Sequence, residues 1–172
     1  MRAHLVATLL LFSCLCNANP TLIISSSVEI RAEFPAQIAH GNNLLIYKYT
    51  NWYFSHERLD GARIYPGIDL TGMDREYVHA LFDNNARQSL PKWLGVLAEE
   101  QATSFGILKE NSEATRSGDL EILTTYNVTE KRGEIFILTK KDIHRLSMKG
   151  EKEHFNKLIA SIKERENGFD PD

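Results

Sequence analysis

The sequence predicts an α+β domain of two layers, in which two or three helices pack on an antiparallel sheet of about five strands. Two observations carry this prediction. Alternating apolar and polar residues, typical of half-buried strands, occur near residues 28–34 and again between residues 120 and 148. Elsewhere, apolar residues recur at the spacing of an amphipathic helix, most clearly at Phe155, Leu158, Ile159 and Ile162.

The first predicted elements are two strands that form a hairpin. Residues 27–35 alternate and end at Pro35, with an inward face formed by Val28, Ile30, Ala32 and Phe34. A turn at residues 41–43 leads into a second strand over residues 44–49. We expect these two strands to pair with each other.

Two helices are predicted in the middle of the chain. A loop over residues 61–72 contains Thr71, which should cap a helix with the apolar stripe Met73, Tyr77, Val78, Leu81 and Phe82. The next helix should open at Ser89, with Pro91 in its first turn, and bury Leu90, Trp93, Leu94, Leu97 and Ala98. Residues 109–118 are predicted to be a polar connection.

Three strands and a closing helix are predicted next. Residues 120–126 and 135–138 should form a hairpin around a polar turn, because both runs are rich in β-branched and aromatic residues. Residues 143–148 form a third strand, and the helix that follows Gly150 should bury its apolar stripe on the sheet. The tail over residues 167–172 is expected to fray.

This order of hairpin, helix, meander and closing helix resembles the periplasmic DcrB and photosystem-associated PsbP/Mog1 group. The resemblance covers roughly two thirds of the residues after position 18 and lies in the element order and in the closing helix. It implies a fold of that type. No functional residue is transferred from the group, because no diagnostic motif is shared.

Residues 1–18 have the features of an export signal: a cationic start, an apolar run over residues 5–15 and small residues at the end. The run is well short of the roughly 20 residues that span a bilayer. We expect cleavage after Ala18 and one domain over residues 19–172, in the bacterial periplasm or secreted. A second hypothesis is a lipoprotein acylated at Cys14, since Leu11-Phe12-Ser13-Cys14 resembles the lipoprotein box.

Cysteine content and charge narrow the class of protein further. Both cysteines, Cys14 and Cys16, lie within the predicted signal, so the mature chain would have no disulfide, which suits a bacterial periplasm. The net charge is −3, with both signs mixed along the chain. Nucleic-acid binders carry a basic stripe instead, so we expect no nucleic-acid partner, and no membrane contact unless Cys14 is lipidated.

The densest group of aromatic residues lies at residues 47–54 and is followed by a polar segment at residues 55–60. In one interpretation, the aromatic residues are core and the polar segment is a solvated loop. In the other, an exposed patch binds a partner, because tryptophan, tyrosine and arginine are enriched at binding hot spots. The predicted binding residues are Trp52, Tyr53, His56 and Arg58.

Motifs for metal binding and catalysis are missing from the sequence. His56-Glu57 begins like the zinc-protease motif, but Asp60 stands where its second histidine is required. Neither Ser104 nor Ser117 lies in a nucleophile elbow, and there is no glycine-rich phosphate loop. We expect no metal, no cofactor and no enzymatic activity.

These observations favour an exported, non-catalytic module of the bacterial periplasm that binds another protein. A toxin-immunity protein or an enzyme inhibitor is the more specific form of this hypothesis. The alternative is an envelope assembly or maintenance lipoprotein anchored through Cys14. A hydrolase with an unrecognised motif is the third hypothesis.

Overall fold

A computed structural model of the protein describes residues 20–107 and 110–165. Within these ranges the chain forms ten strands and five helices. The strands are β1 (Thr21–Ile23), β2 (Val28–Arg31), β3 (Gln37–Gly41), β4 (Leu44–Lys48), β5 (Tyr53–Leu59), β6 (Ser112–Ser117), β7 (Leu120–Asn127), β8 (Arg132–Leu138), β9 (Ile143–Lys149) and β10 (Ile162–Glu164). The helices are α1 (Gly61–Ile64), α2 (Asp74–Phe82), α3 (Asn84–Ser89), α4 (Lys92–Ser104) and α5 (Lys152–Ser161).

Seven strands form the main sheet, in the order β3-β4-β5-β9-β8-β7-β6, and every neighbouring pair is antiparallel. The sheet therefore consists of two meanders, β3 to β5 and β6 to β9, joined by the pairing of β5 with β9. The remaining three strands form a small antiparallel sheet in the order β1-β2-β10. The predicted α+β class is confirmed, whereas the predicted counts of about five strands and of two or three helices are too low.

Apolar residues point to both faces of the main sheet and build two separate cores. In β8, Ile135 and Ile137 belong to the core beneath the small sheet and α5, while Phe136 and Leu138 belong to the core beneath the helices α1, α2 and α4. All four side chains are at most 1% exposed. The structure thus has three layers rather than the predicted two, because both faces of the central strands are covered.

The first face is covered by the small sheet and by α5. Helix α5 buries Phe155 and Leu158, as its spacing predicts, and the stripe continues into Ile162, which begins β10 rather than extending the helix. The ring of Phe155 lies against Gly133, where an added Cβ would come within 2.2 Å of it. Only glycine at position 133 leaves room for this packing.

The second face is covered by helices, and three of their predicted details are wrong. Ser89, which was expected to open the second helix, is the last residue of α3, and α4 begins at Lys92. Helix α2 begins after Met73, because Thr71 donates its backbone N–H to the Asp69 carboxylate at 2.9 Å instead of capping the helix. In α4, Trp93 is 56% exposed, since the buried stripe of Leu94, Ala98 and Ala102 has a spacing of four and leaves position 93 to one side. The predicted stripe of α2 is confirmed at Tyr77, Val78 and Leu81.

The predicted N-terminal hairpin is also wrong. Strand β2 pairs with β1 and β10. Strand β4 pairs with β3, to which it is joined by a tight turn at Asn42, and with β5. Strand β2 ends at Arg31, and Phe34, predicted to point inward, is 76% exposed. Residues 112–117 form the edge strand β6, although a polar connection was expected there.

None of the helices in the two described ranges is long and apolar enough to cross a membrane. The predicted export signal at residues 1–18, both cysteines and the predicted tail at residues 167–172 lie outside these ranges. The meander of β7, β8 and β9 and the helix α5 occur where the sequence predicts them.

Candidate functional site

The four predicted binding residues lie in or beside strand β5, whose alternation sends them to different faces. Phe54 and His56 point to the face beneath the small sheet, and Tyr53 points to the opposite face. Residues 55–59 are part of the strand, so the expected solvated loop is wrong. The structure therefore does not bring the four residues together into a single patch.

Trp52 belongs to a ladder of nearly parallel rings. Its indole stacks on Tyr49 at a centroid distance of 4.0 Å, with 2° between the planes, and on the imidazole of His154 at 5.4 Å. Tyr47, Tyr49 and Phe54 are buried, as the core interpretation predicts, and Trp52 is partly buried against them. A cavity of about 460 Å³ borders Trp52 and His154, and the Nδ1 atom of His154 is buried there without a hydrogen-bond partner in the described ranges.

His56 is 7% exposed and lies beside His144 of strand β9, which is 1% exposed. The Nε2 atom of His56 and the Nδ1 atom of His144 are 3.1 Å apart, so one ring donates a hydrogen bond to the other. Burial, and next the charge of His144, lower the pKa of His56 to about 4. Burial also lowers the pKa of His144, and the nearby Asp142 carboxylate opposes this effect.

Arg58 is the one predicted residue that shares a cavity with His56. Its guanidinium pairs with the Asp142 carboxylate at 2.6 Å, and its side chain is 70% exposed. The cavity that both residues line has a volume of about 600 Å³. No three histidine, cysteine, aspartate or glutamate residues within residues 20–107 and 110–165 are arranged to hold a metal ion.

Tyr53 lies on the part of the main sheet that the helices leave open. It is 46% exposed, and the strand register places Lys48 of β4 directly beside it on one side and Lys149 of β9 on the other. Arg132 of β8 follows Lys149. Directly paired residues of antiparallel strands share a face, so these four side chains form one line across four strands. We call Lys48, Tyr53, Lys149 and Arg132 the basic row.

The adjacent line of residues on the same face of the sheet, which includes Glu134 and Ser147, holds Arg132 of the basic row in place. Glu134 is fully buried, and its carboxylate accepts hydrogen bonds from Arg132 (2.8 and 3.0 Å), Ser147 (2.8 Å) and Arg145 (3.1 Å). A buried carboxylate is tolerated only when it is paired and hydrogen-bonded in this way. Glu134 thereby fixes the Arg132 guanidinium on the open face, where the Arg132 side chain keeps 38% exposure.

The predicted binding residues include Tyr53 but none of the three cations beside it. Lys48 and Lys149 are ordinary charged residues at the ends of their strands, and Arg132 falls in a segment that was predicted to be a turn. Alternation within each strand could have assigned each residue to a face. It could not have aligned them, because the alignment depends on the register of β5 against β9.

Comparison of the chain with models of protein families, with curated proteins and with solved structures finds no match. The resemblance to the DcrB and PsbP/Mog1 group therefore stays a prediction.

Proposed function

We propose that this protein is a non-catalytic binding module that engages another protein through the part of its main sheet that the helices leave open. The observation that carries the proposal is the basic row, in which a half-exposed tyrosine stands between two lysines and next to an arginine. Tyrosine and arginine are the residue types that dominate binding energy at protein interfaces. Both are held on rigid strands here, which lowers the entropy lost on binding.

The proposed location is the bacterial periplasm or the extracellular space, on the basis of the signal features of residues 1–18. In its more specific form the proposal is a toxin-immunity protein or an enzyme inhibitor, since both act by covering a partner without catalysis. Mass spectrometry of the mature N-terminus distinguishes this form from the alternative, a lipoprotein. A chain that begins at Asn19 supports the soluble form, and an acylated Cys14 supports the envelope lipoprotein.

Affinity purification from the cells that make the protein tests the binding role. The Tyr53→Ala protein should retain its partner about 30-fold more weakly than the unaltered protein, which is the effect of a hot-spot tyrosine worth about 2 kcal/mol. Trp93→Ala is the matched control, because Trp93 is an exposed aromatic residue of helix α4 (56% against 46% for Tyr53) that does not line the cavity beside Tyr53. Equal retention of the partner by both variants would contradict the proposal.

A further inference from the structure

The line of paired residues that contains the basic row extends over the six strands β3, β4, β5, β9, β8 and β7 and includes no carboxylate. The same register adds Gln37 at one end of the row and Asn127 at the other, and both are neutral. The chain as a whole has a net charge of −3, so this line is a local reversal of sign. A surface of this kind attracts a ligand of opposite charge and repels one of like charge.

The carboxylates of the two adjacent lines pair with arginines and leave the two lysines of the row without a carboxylate partner in the described part of the chain. Glu134 lies in the next line of residues, where Arg132 and Arg145 both bind its carboxylate. Glu57 lies one line further away and pairs with Arg145 at 3.2 Å. Two carboxylates thus face two arginines. Lys149 donates a hydrogen bond to the backbone carbonyl of Glu130 at 2.6 Å, which leaves its positive charge without a carboxylate partner among the described residues. The charges of Lys48 and Lys149 are therefore not neutralised by the carboxylates of the two adjacent lines.

The shape of the site favours an extended polypeptide. Neighbouring strands are about 4.8 Å apart, so the four residues of the row span about 15 Å, the length of roughly five residues in extended conformation. A cavity of about 400 Å³ lies beside the basic row and is bordered by Tyr53, Lys149 and Arg132. Leu44 and Ile46 of β4 border the same cavity. The site therefore offers the aliphatic side chains of Leu44 and Ile46 beside the aromatic and cationic side chains of the basic row.

We propose that the basic row binds an extended acidic segment of a partner protein. The segment also carries an aliphatic side chain, which packs against Leu44 and Ile46. This inference rests on the proposed function and specifies the chemistry of the partner. A nucleic acid is less suitable, because its electrostatic affinity depends on the number of phosphates neutralised and the row has only three cations.

Fluorescence anisotropy with a labelled peptide of alternating glutamate and leucine residues tests this proposal. We expect saturable binding that weakens as NaCl is raised from about 0.05 to about 0.5 M, because salt screens exposed charges. The Lys48→Glu, Lys149→Glu double variant should bind the peptide at least about tenfold more weakly. Lys92→Glu is the control for charge reversal, since Lys92 is exposed at the start of helix α4, and it should bind as the unaltered protein does.

Circular dichroism and thermal unfolding show whether the double variant folds. If it does not fold, the milder Lys48→Gln, Lys149→Gln double variant replaces it in the comparison of peptide affinity with the unaltered protein. Three results would overturn the proposal: no saturable binding of the acidic peptide up to about 1 mM, equal binding of a lysine and leucine peptide, or tighter binding of single-stranded oligodeoxythymidylate. The proposed function fails on a different result, which is equal retention of the cellular partner by the Tyr53→Ala and Trp93→Ala proteins. If partner retention depends on Tyr53 but the acidic peptide does not bind, the protein is a binding module whose partner has another chemistry.

Discussion

The buried pair of His56 and His144 should make the protein less stable in mild acid. Folded His56 stays neutral down to about pH 4, whereas the unfolded chain binds a proton at the ordinary histidine pKa of 6.5. Stability rises with pH wherever the unfolded state holds more protons. The contribution of His56 is therefore complete above about pH 6.5, is lost progressively as the pH falls from 6.5 towards 4, and changes no further below that.

The size of this loss follows from the two pKa values. At pH 5 an unfolded His56 is almost fully protonated and a folded one almost fully neutral. Each pH unit below 6.5 then removes about 1.4 kcal/mol, so the free energy of unfolding should fall by about 2 kcal/mol between pH 7 and pH 5. His144, whose pKa burial also lowers, acts in the same direction. A loss of this size is a substantial share of the roughly 5–15 kcal/mol that stabilises a typical domain.

Urea unfolding at pH 7 and at pH 5 measures how much the free energy of unfolding falls on acidification. This loss is then compared between the unaltered protein and a His56→Gln, His144→Gln double variant. The variant should lose less stability on acidification, whatever its stability at pH 7, because the contributions of the surface carboxylates are the same in both proteins. His40→Gln is the control, since His40 is exposed on the edge strand β3. An equal pH dependence in the unaltered protein and the double variant would refute the reasoning.

The remaining predictions concern side chains in the cores, exposed side chains that serve as comparisons, and Glu134 in the line next to the basic row. Phe155→Ala should lower the free energy of unfolding by about 3–5 kcal/mol, because the ring is 4% exposed, while Lys157→Ala on the exposed side of α5 should cost under about 0.5 kcal/mol. Trp52→Ala should cost about 3 kcal/mol through loss of its stacked neighbours, and Arg58→Ala under about 1 kcal/mol because the Arg58 side chain is 70% exposed. Glu134→Ala should cost about 3–5 kcal/mol by leaving two arginines without their buried partner.

Chemical denaturation at constant pH measures all five substitutions on one scale. Similar losses for Phe155→Ala and Lys157→Ala would mean that α5 buries a different face. A stable Trp52→Ala protein would show that the ring ladder is not needed by the core. A stable Glu134→Ala protein would show that the neighbouring arginines reach solvent without it.

Local periodicity was sufficient to predict strands β7, β8 and β9 and helix α5. Strands β7 and β9 and helix α5 each bury the side that their spacing indicates, although β7 also buries residues of its other face. The edge strand β6 was missed because its residues are polar and largely exposed, with a pattern typical of a loop. Strand β10 was missed because Ile162 continues the apolar stripe of the preceding helix.

Pairing between distant strands could not be predicted. The sequence indicated that residues 28–31 form a strand, but not that β2 lies between β1 and β10 in a separate sheet. The same limitation applies to the site. Tyr53 was identified from composition, whereas its alignment with Lys149 depends on a pairing between residues almost one hundred positions apart in the sequence.

The joining of two meanders by β5 and β9 also determines the order in which the chain can fold. Within each meander, every hairpin closes a loop of a few residues, but the contact of His56 with His144 closes one of 88 residues. Closing that loop costs about 4 kcal/mol of chain entropy, against about 1.5 kcal/mol for a five-residue hairpin loop. The two meanders should therefore form early and separately, and their union, which also assembles the basic row, should be the slow step of folding.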